Sequence, residues 1–261
     1  MDIDLSNIAA ATQDAVREAG AIIRTQWDQP RQIRHKGRID LVTQTDVAVE
    51  EALRKSLGAI LPEAAFMGEE GSSATKVEGL TWVVDPLDGT TNYAHKLPFV
   101  ATSVALWTGE GVGLGVVYNP ILEEMFVAVR SQGAFRNGER IGVTDTDSLQ
   151  DALVATGFPY DVDKQVGRIT AWLDAVLPVT QGVRRYGSAA LDLAYLACGN
   201  YDGYYEINLK PWDMAAGWLL VEEAGGRVSA FEPDAPFTLF SSSVLATNGP
   251  LHEAMRALIT E

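Results

Sequence analysis

The chain has 261 residues, 47% of them hydrophobic and 21% charged, which suits one large domain or two closely joined lobes around a sizeable core. Its formal net charge of −15 repels nucleic acid and anionic membranes at long range, so neither is an expected partner. The same charge means that any site for an anionic substrate needs a local source of positive charge, and bound cations are the natural supply.

The acidic opening, MDIDLSNIAA, is not read as a signal peptide. Helical periodicity through Ile8, Ala11, Ala15, Ala19, Ile22 and Ile23 predicts a helix over 6–27, with Ser6 as N-cap and Pro30 closing the segment. Residues 35–38, which include Lys36 and Gly37, are expected to form a mobile loop. A second helix is expected to open at Thr45 or Asp46 and run to about Ala59. Apolar runs at 64–67 and 80–84 predict buried strands ending at Gly68 and Asp85. Strands are also expected at 101–107, 113–118 and 124–129, the first two as an antiparallel hairpin that the third continues.

The second half reads as a strand at 152–156, helices at 164–176, 189–198 and 212–224, and a strand at 244–246. Gly225 and Gly226 are expected to end the third of these helices. Pro250 is expected at the first position of a last helix. Cys198, the one cysteine, excludes an intramolecular disulfide and is expected as a small buried core residue. No stretch reaches the roughly 18 apolar residues of a membrane span, so the expected location is the cytoplasm. Helices and strands mix without a regular βαβ rhythm, which predicts a layered α/β architecture with no long linker.

The segment Trp82-Val83-Val84-Asp85-Pro86-Leu87-Asp88-Gly89-Thr90-Thr91-Asn92-Tyr93 carries the strongest chemical signal. Pro86 lacks an N–H and breaks the strand ladder after Asp85, so the chain must turn. Asp85, Asp88 and the Leu87 carbonyl are then hard oxygen donors able to face one spot, as Mg²⁺ requires. Gly89 permits close backbone approach, and Thr90 and Thr91 open a short helix or turn whose amides suit a phosphate. Glu69, Asp46 and Asp213 each read, taken alone, as ordinary turn or cap residues. The histidines, His35, His95 and His252, lack metal-ligand spacing and read as structural or surface groups.

The run DPLDGTTNY, with GEE upstream and WDMAAG and EEAGG downstream, resembles the inositol monophosphatase family over nearly the whole chain. The resemblance implies a magnesium-dependent, lithium-sensitive phosphatase with an α/β/α/β/α layered sandwich, acting as a single unit over 1–261 with lobes at about 1–142 and 143–261. It implies that Glu69, Asp85 and the Leu87 carbonyl hold one metal ion, and that Asp85, Asp88 and Asp213 hold a second. A third ion would sit near Glu69, held mainly by water and phosphate. Mg²⁺ is the expected ion, with Mn²⁺ as an alternative. Thr90 and Asp46 would orient and deprotonate the attacking water, with Glu69 alongside them as a catalytic group. Gly89 and Thr90 would contact phosphate; Asp88, Ser188, Ala189 and Glu206 would meet the rest of the substrate. The expected partner is a small phosphate monoester, and a homodimer is expected by the same resemblance.

Charge supports a third ion. Glu69, Asp85, Asp88 and Asp213 carry about −4 when ionised, which two Mg²⁺ only neutralise, so a dianionic phosphate needs one more cation. Lys36 and Lys210 are further candidate substrate contacts. Among related enzymes, those for nucleotides and histidinol phosphate usually read DGTK where this chain has Asp88-Gly89-Thr90-Thr91. A fructose 1,6-bisphosphatase or another sugar or polyol phosphatase is the competing activity, with Arg184 and Arg185 the nearest basic pair. A non-catalytic regulatory protein retaining the fold is the alternative of another class.

Overall fold

The computed structural model describes residues 3–30, 33–35, 37, 41–71, 76–233 and 236–260. Lys36 and Arg38 of the expected 35–38 loop lie outside the described residues.

Helix α1 (Leu5–Gln26) starts earlier than its periodicity suggests, because Asp4 caps it by accepting the Ser6 and Asn7 amides at 3.2 Å each. Ser6 therefore lies inside the helix. Strands β1 (Ile33–His35) and β2 (Leu41–Thr43) form a small antiparallel ribbon that leads directly into α2 (Gln44–Ile60). Thr43, and not Thr45 or Asp46, caps α2: its side chain accepts the Thr45 amide, and Asp46 returns a bond to the Thr43 amide at 2.9 Å.

Next come β3 (Ala65–Gly68), β4 (Leu80–Asp88), the short α3 (Thr90–Ala94), β5 (Ala101–Thr108), β6 (Val112–Asn119), β7 (Glu124–Val129), β8 (Gly133–Arg136) and β9 (Glu139–Arg140). These strands make a seven-stranded sheet in chain order, with β3 parallel to β4 and every later pair antiparallel. The expected hairpin and its continuation are thus β5–β6–β7.

The chain continues through β10 (Leu153–Thr156), α4 (Val162–Val176), β11 (Gly182–Arg184), α5 (Ala189–Ala197), β12 (Gly203–Ile207), α6 (Pro211–Glu223), β13 (Arg227–Ser229), β14 (Ser243–Thr247) and α7 (His252–Ile259). The second sheet runs β11-β10-β12-β14-β13. Pro250 precedes α7 in a turn instead of opening it, while Pro211 takes the first position of α6. Cys198, just past α5, is half-buried against the core, and burial pushes its thiol up to about 11.

Strand alternation stacks these elements into layers. Trp82 and Val84 face α1 and α2, packing with Val16, Ile23, Leu53 and Leu57. Val83 points the other way, into a core built with α5 and α6 through Leu191, Leu193, Met214 and Leu219. Tyr204 of β12 reaches that same central core from the second sheet, whereas Tyr205 faces outward onto Trp172 of α4 and Met255 of α7. The order is therefore α/β/α/β/α, as expected, with α5 and α6 as the shared middle layer. Among the described residues no helix is long and apolar enough to cross a membrane.

Candidate active site

Strand β4 does not end at Asp85. It carries on to Asp88 across a bulge, pairing Asp85 with Ser103 and Asp88 with Ala101. Between those pairs Pro86 and Leu87 oppose Thr102 alone, whose hydroxyl donates to Pro86 O at 3.0 Å. Pro86 cannot donate to the ladder, and the bulge accommodates that missing bond. Asp85 Oδ1 accepts the Leu87 amide at 2.9 Å, which fixes the turn. Gly89 follows with φ +86°, a conformation that favours glycine, and α3 starts at Thr90.

Asp85, Leu87, Asp88, Gly89 and Thr90 all line one cavity of about 250 Å³. Glu69 enters it from just beyond β3, where its amide donates to Val84 O at 3.2 Å and extends the β3–β4 pairing. Asp213 enters from α6 as the third residue of the helix, its Oδ2 accepting the Lys210 amide at 2.7 Å. It is not the cap itself.

Asp46 is fully buried and stands off the cavity wall, behind Thr90. The Thr90 hydroxyl lies 3.1 Å from Asp46 Oδ1 and 3.1 Å from Leu87 O. Burial raises the Asp46 carboxyl above its usual range, against the opposing pull of bonds from Thr43 and Thr90.

The far wall comes from the second half of the chain. Ser188 and Ala189 line it at the start of α5. The Ser188 hydroxyl donates to Asp88 Oδ2 at 2.6 Å, and the Ala190 amide donates to the same oxygen at 2.8 Å. Glu206 of β12 lines the cavity too, accepting from the Tyr204 hydroxyl. Burial pushes Glu206 up to about 7. Arg185 and Lys210 are the cationic side chains on this wall; Arg184 is not on it.

The sequence of the inositol monophosphatase family matches residues 4–261. The chain belongs to that family. It is 42% identical to an inositol-1-monophosphatase of Synechocystis sp. over 254 residues, which is 97% of this chain and 88% of that one. Its fold overlays an inositol monophosphatase structure from Anabaena with a TM-score of 0.88 at 36% identity, covering 98% and 96% of the two chains. It also overlays the extragenic suppressor protein suhB of Bartonella henselae with a TM-score of 0.91 at 35% identity, covering 99% of each. Enzymes of the inositol monophosphatase family use divalent metal ions.

The donor set fits such ions. Glu69, Asp85, Asp88 and Asp213 present only hard oxygens, and neither histidine nor cysteine lines the cavity. Burial first, and then Glu69, Asp88 and Asp213, hold the Asp85 carboxyl well above the usual range. Asp213 is raised for the same reasons, with burial and Asp88 leading. Burial lifts Asp88 to about 6 despite its bonds from Ser188 and Ala190. Among the described residues, no three acid, histidine or cysteine side chains close into a ready coordination shell.

Sequence reasoning missed several cavity residues. Gly157, Phe158, Pro159 and Tyr160 form part of the wall. A Cβ on Gly157 would come within 1.9 Å of Glu206 Oε2, so the glycine makes room for that carboxylate. No local pattern announces this pairing across neighbouring strands; reading Gly203–Ile207 as a buried strand would have been the nearest signal. The histidines stay outside the site. His95 is exposed at the end of α3, and His252 is buried among Ser229, Thr247 and Arg256, with its pKa lowered to about 4 by burial and then by Arg227 and Arg256. The His35 side chain is outside the described residues.

Proposed function

We propose that this chain is a divalent-metal-dependent phosphatase that hydrolyses inositol monophosphate. The observation that carries the reading is the meeting, in one cavity, of four acids, a threonine backed by a buried aspartate, and a further carboxylate, Glu206. Glu69, Asp85 and the Leu87 carbonyl would hold one ion, and Asp85, Asp88 and Asp213 another, with Mg²⁺ the expected ion and Mn²⁺ an alternative. A third ion beside Glu69 would arrive with the phosphate. Such ions, held by these residues, would polarise the phosphoryl oxygens, acidify the attacking water and steady the leaving oxygen.

The protein's own groups supply position and proton transfer. The Thr90 oxygen accepts from the attacking water while its hydrogen is directed to Asp46 Oδ1, which gives the proton a route into a buried carboxylate. Glu69, which lines the same cavity, would act on that water as a second catalytic group. Amides of Gly89 and Thr90 receive phosphate oxygens. Glu206 accepts hydrogen bonds from hydroxyls of the leaving group, while Ser188 and Ala189 shape the floor beneath it. On this reading residues 1–261 work as one unit of two lobes, with the phosphate side drawn mainly from the first and the leaving-group side from the second. We also propose a cytoplasmic homodimer.

The test is phosphate release from inositol monophosphate with Mg²⁺, with and without a chelator. Chelator-sensitive turnover is expected; no turnover on any sugar or polyol phosphate would refute the assignment. Arg185 and Lys210 on the cavity wall favour a second reading, a sugar bisphosphate whose second phosphate they receive. A higher kcat/KM on fructose 1,6-bisphosphate than on inositol monophosphate would support it.

A further inference from the structure

Asn92 takes no part in the metal and phosphate roles proposed above, yet its side chain occupies the junction of three segments. It is buried in α3, with 5% of its surface exposed. Its Nδ2 lies 2.8 Å from Phe99 O, 2.7 Å from Tyr186 O and 3.4 Å from Gly187 O. Two amide hydrogens thus fasten the phosphate-side helix to the approach to β5 and to the segment before α5.

The backbone is shaped around this contact. Gly89 and Gly187 both adopt left-handed conformations, at φ +86° and +81°. A Cβ on Gly89 would lie 2.9 Å from Phe99 O and 3.4 Å from Gly187 O, so the strands of chain meet here with no room for a side chain. The Tyr186–Gly187 segment follows β11, a three-residue strand at the edge of its sheet. Arg185 and Tyr186 are exposed. Yet this segment brings Arg185, Gly187 and Ser188 to the cavity wall. The Tyr186 ring leans on Phe99 at 4.7 Å and Ser188 bonds Asp88, and the Asn92 amide is the group that anchors the backbone between them to the opposite lobe.

We infer that Asn92 is a positioning residue that sets the leaving-group side of the pocket, by tying the Tyr186–Gly187 backbone to the phosphate-binding turn. The inference rests on the phosphatase reading. An aspartate at this position keeps the shape but replaces the amide nitrogen and its two N–H donors with a carboxylate oxygen that repels the three carbonyls. The segment then moves off, and contacts to a hydroxyl-rich leaving group lengthen while the phosphate-side turn keeps its own anchors.

The test compares inositol monophosphate with phenyl phosphate, whose leaving group has no hydroxyl to be positioned, in Asn92→Asp. Inhibition by inorganic phosphate reports on the phosphate side alone. The expected result is a fall of about tenfold or more in kcat/KM for inositol monophosphate relative to phenyl phosphate, through KM, with phosphate inhibition unchanged. An equal loss on both substrates with weakened phosphate inhibition, or no change on either, overturns the inference. If Asn92→Asp fails to fold, Gly187→Ala strains the same backbone segment through its left-handed φ of +81°, and the same substrate ratio decides. A wild-type enzyme inactive on both substrates would instead bring down the phosphatase reading, and this inference with it.

Discussion

The Thr90 hydroxyl has one hydrogen and two acceptors at equal distance, Asp46 Oδ1 and Leu87 O, each 3.1 Å away. If an ion draws on the Leu87 carbonyl, Asp46 becomes the favoured acceptor, and the hydroxyl is aligned as a relay from water to carboxylate. Thr90→Ala removes the relay while leaving the fold's larger contacts intact. The expected result is a loss of about 10²–10⁴-fold in kcat with a stability cost near 1 kcal/mol. Steady-state kinetics beside thermal melting would check both, and near-normal kcat would remove Thr90 from the mechanism. At this scale the motif was legible: Asp85, Asp88, Gly89 and Thr90 are adjacent in sequence and their local turn is set by Pro86. Asn92 and Gly157 were not legible as site residues, because each acts on a partner from a distant segment.

Among the elements, α6 stands out because it meets both the first sheet and α5 in the middle layer. The contact is close where Gly217 faces Leu193. A Cβ at Gly217 would lie 2.6 Å from both Leu193 Cβ and Leu193 Cδ1. Gly217→Ala would gain helix propensity of about 1 kcal/mol but force two packed helices apart, so a net loss of about 1–3 kcal/mol is expected in chemical denaturation. Because α6 also carries Asp213 and α5 is capped by Ser188, metal affinity should fall in the same variant. Unchanged stability would show that the middle layer yields more easily than its packing indicates. Most elements here were readable from periodicity, since α1, α2 and β4 to β7 have long apolar patterns. The strand β12 was not, because Gly203–Ile207 is only five residues long and includes a glycine and a buried glutamate, which leaves no apolar run. Ser6 and Pro250 were misplaced for a related reason: neighbours Asp4 and Leu251 took the end positions, and caps compete over one or two residues.

For the whole molecule, the concentrated acids make stability depend on pH in a definite direction. A carboxyl raised in the folded state keeps its proton to higher pH than in the unfolded chain. Between the two values the folded state binds more protons, so raising the pH favours unfolding. For Glu206 that window runs from the usual 4.5 to about 7, and for Asp88 from 3.8 to about 6. Asp85 and Asp213 are raised well above 3.8 and add the same sign; His252, lowered from 6.5 to about 4, acts oppositely in that interval but is one group against four. The chelated protein should therefore melt at a lower temperature at pH 8 than at pH 5. Divalent metal should restore stability more at pH 8, where it no longer competes with protons, by about 2.7 kcal/mol at a hundredfold excess over Kd. Calorimetric scans across pH with and without metal would check this; a melting temperature that rises with pH in chelator would contradict it.

The sequence by itself determined the family and the layered α/β class, because both rest on pattern along the chain: apolar periodicity, a proline that breaks a strand, and a motif of adjacent residues. Only the tertiary structure decided which groups share the cavity and how they are held. Asp46 lies behind Thr90, Ser188 reaches across to Asp88, Glu206 fits against Gly157, and Asn92 joins the two sides. Those relations depend on how two sheets pack about α5 and α6. Packing is set by shape and burial summed over distant segments, which no short stretch of the chain records.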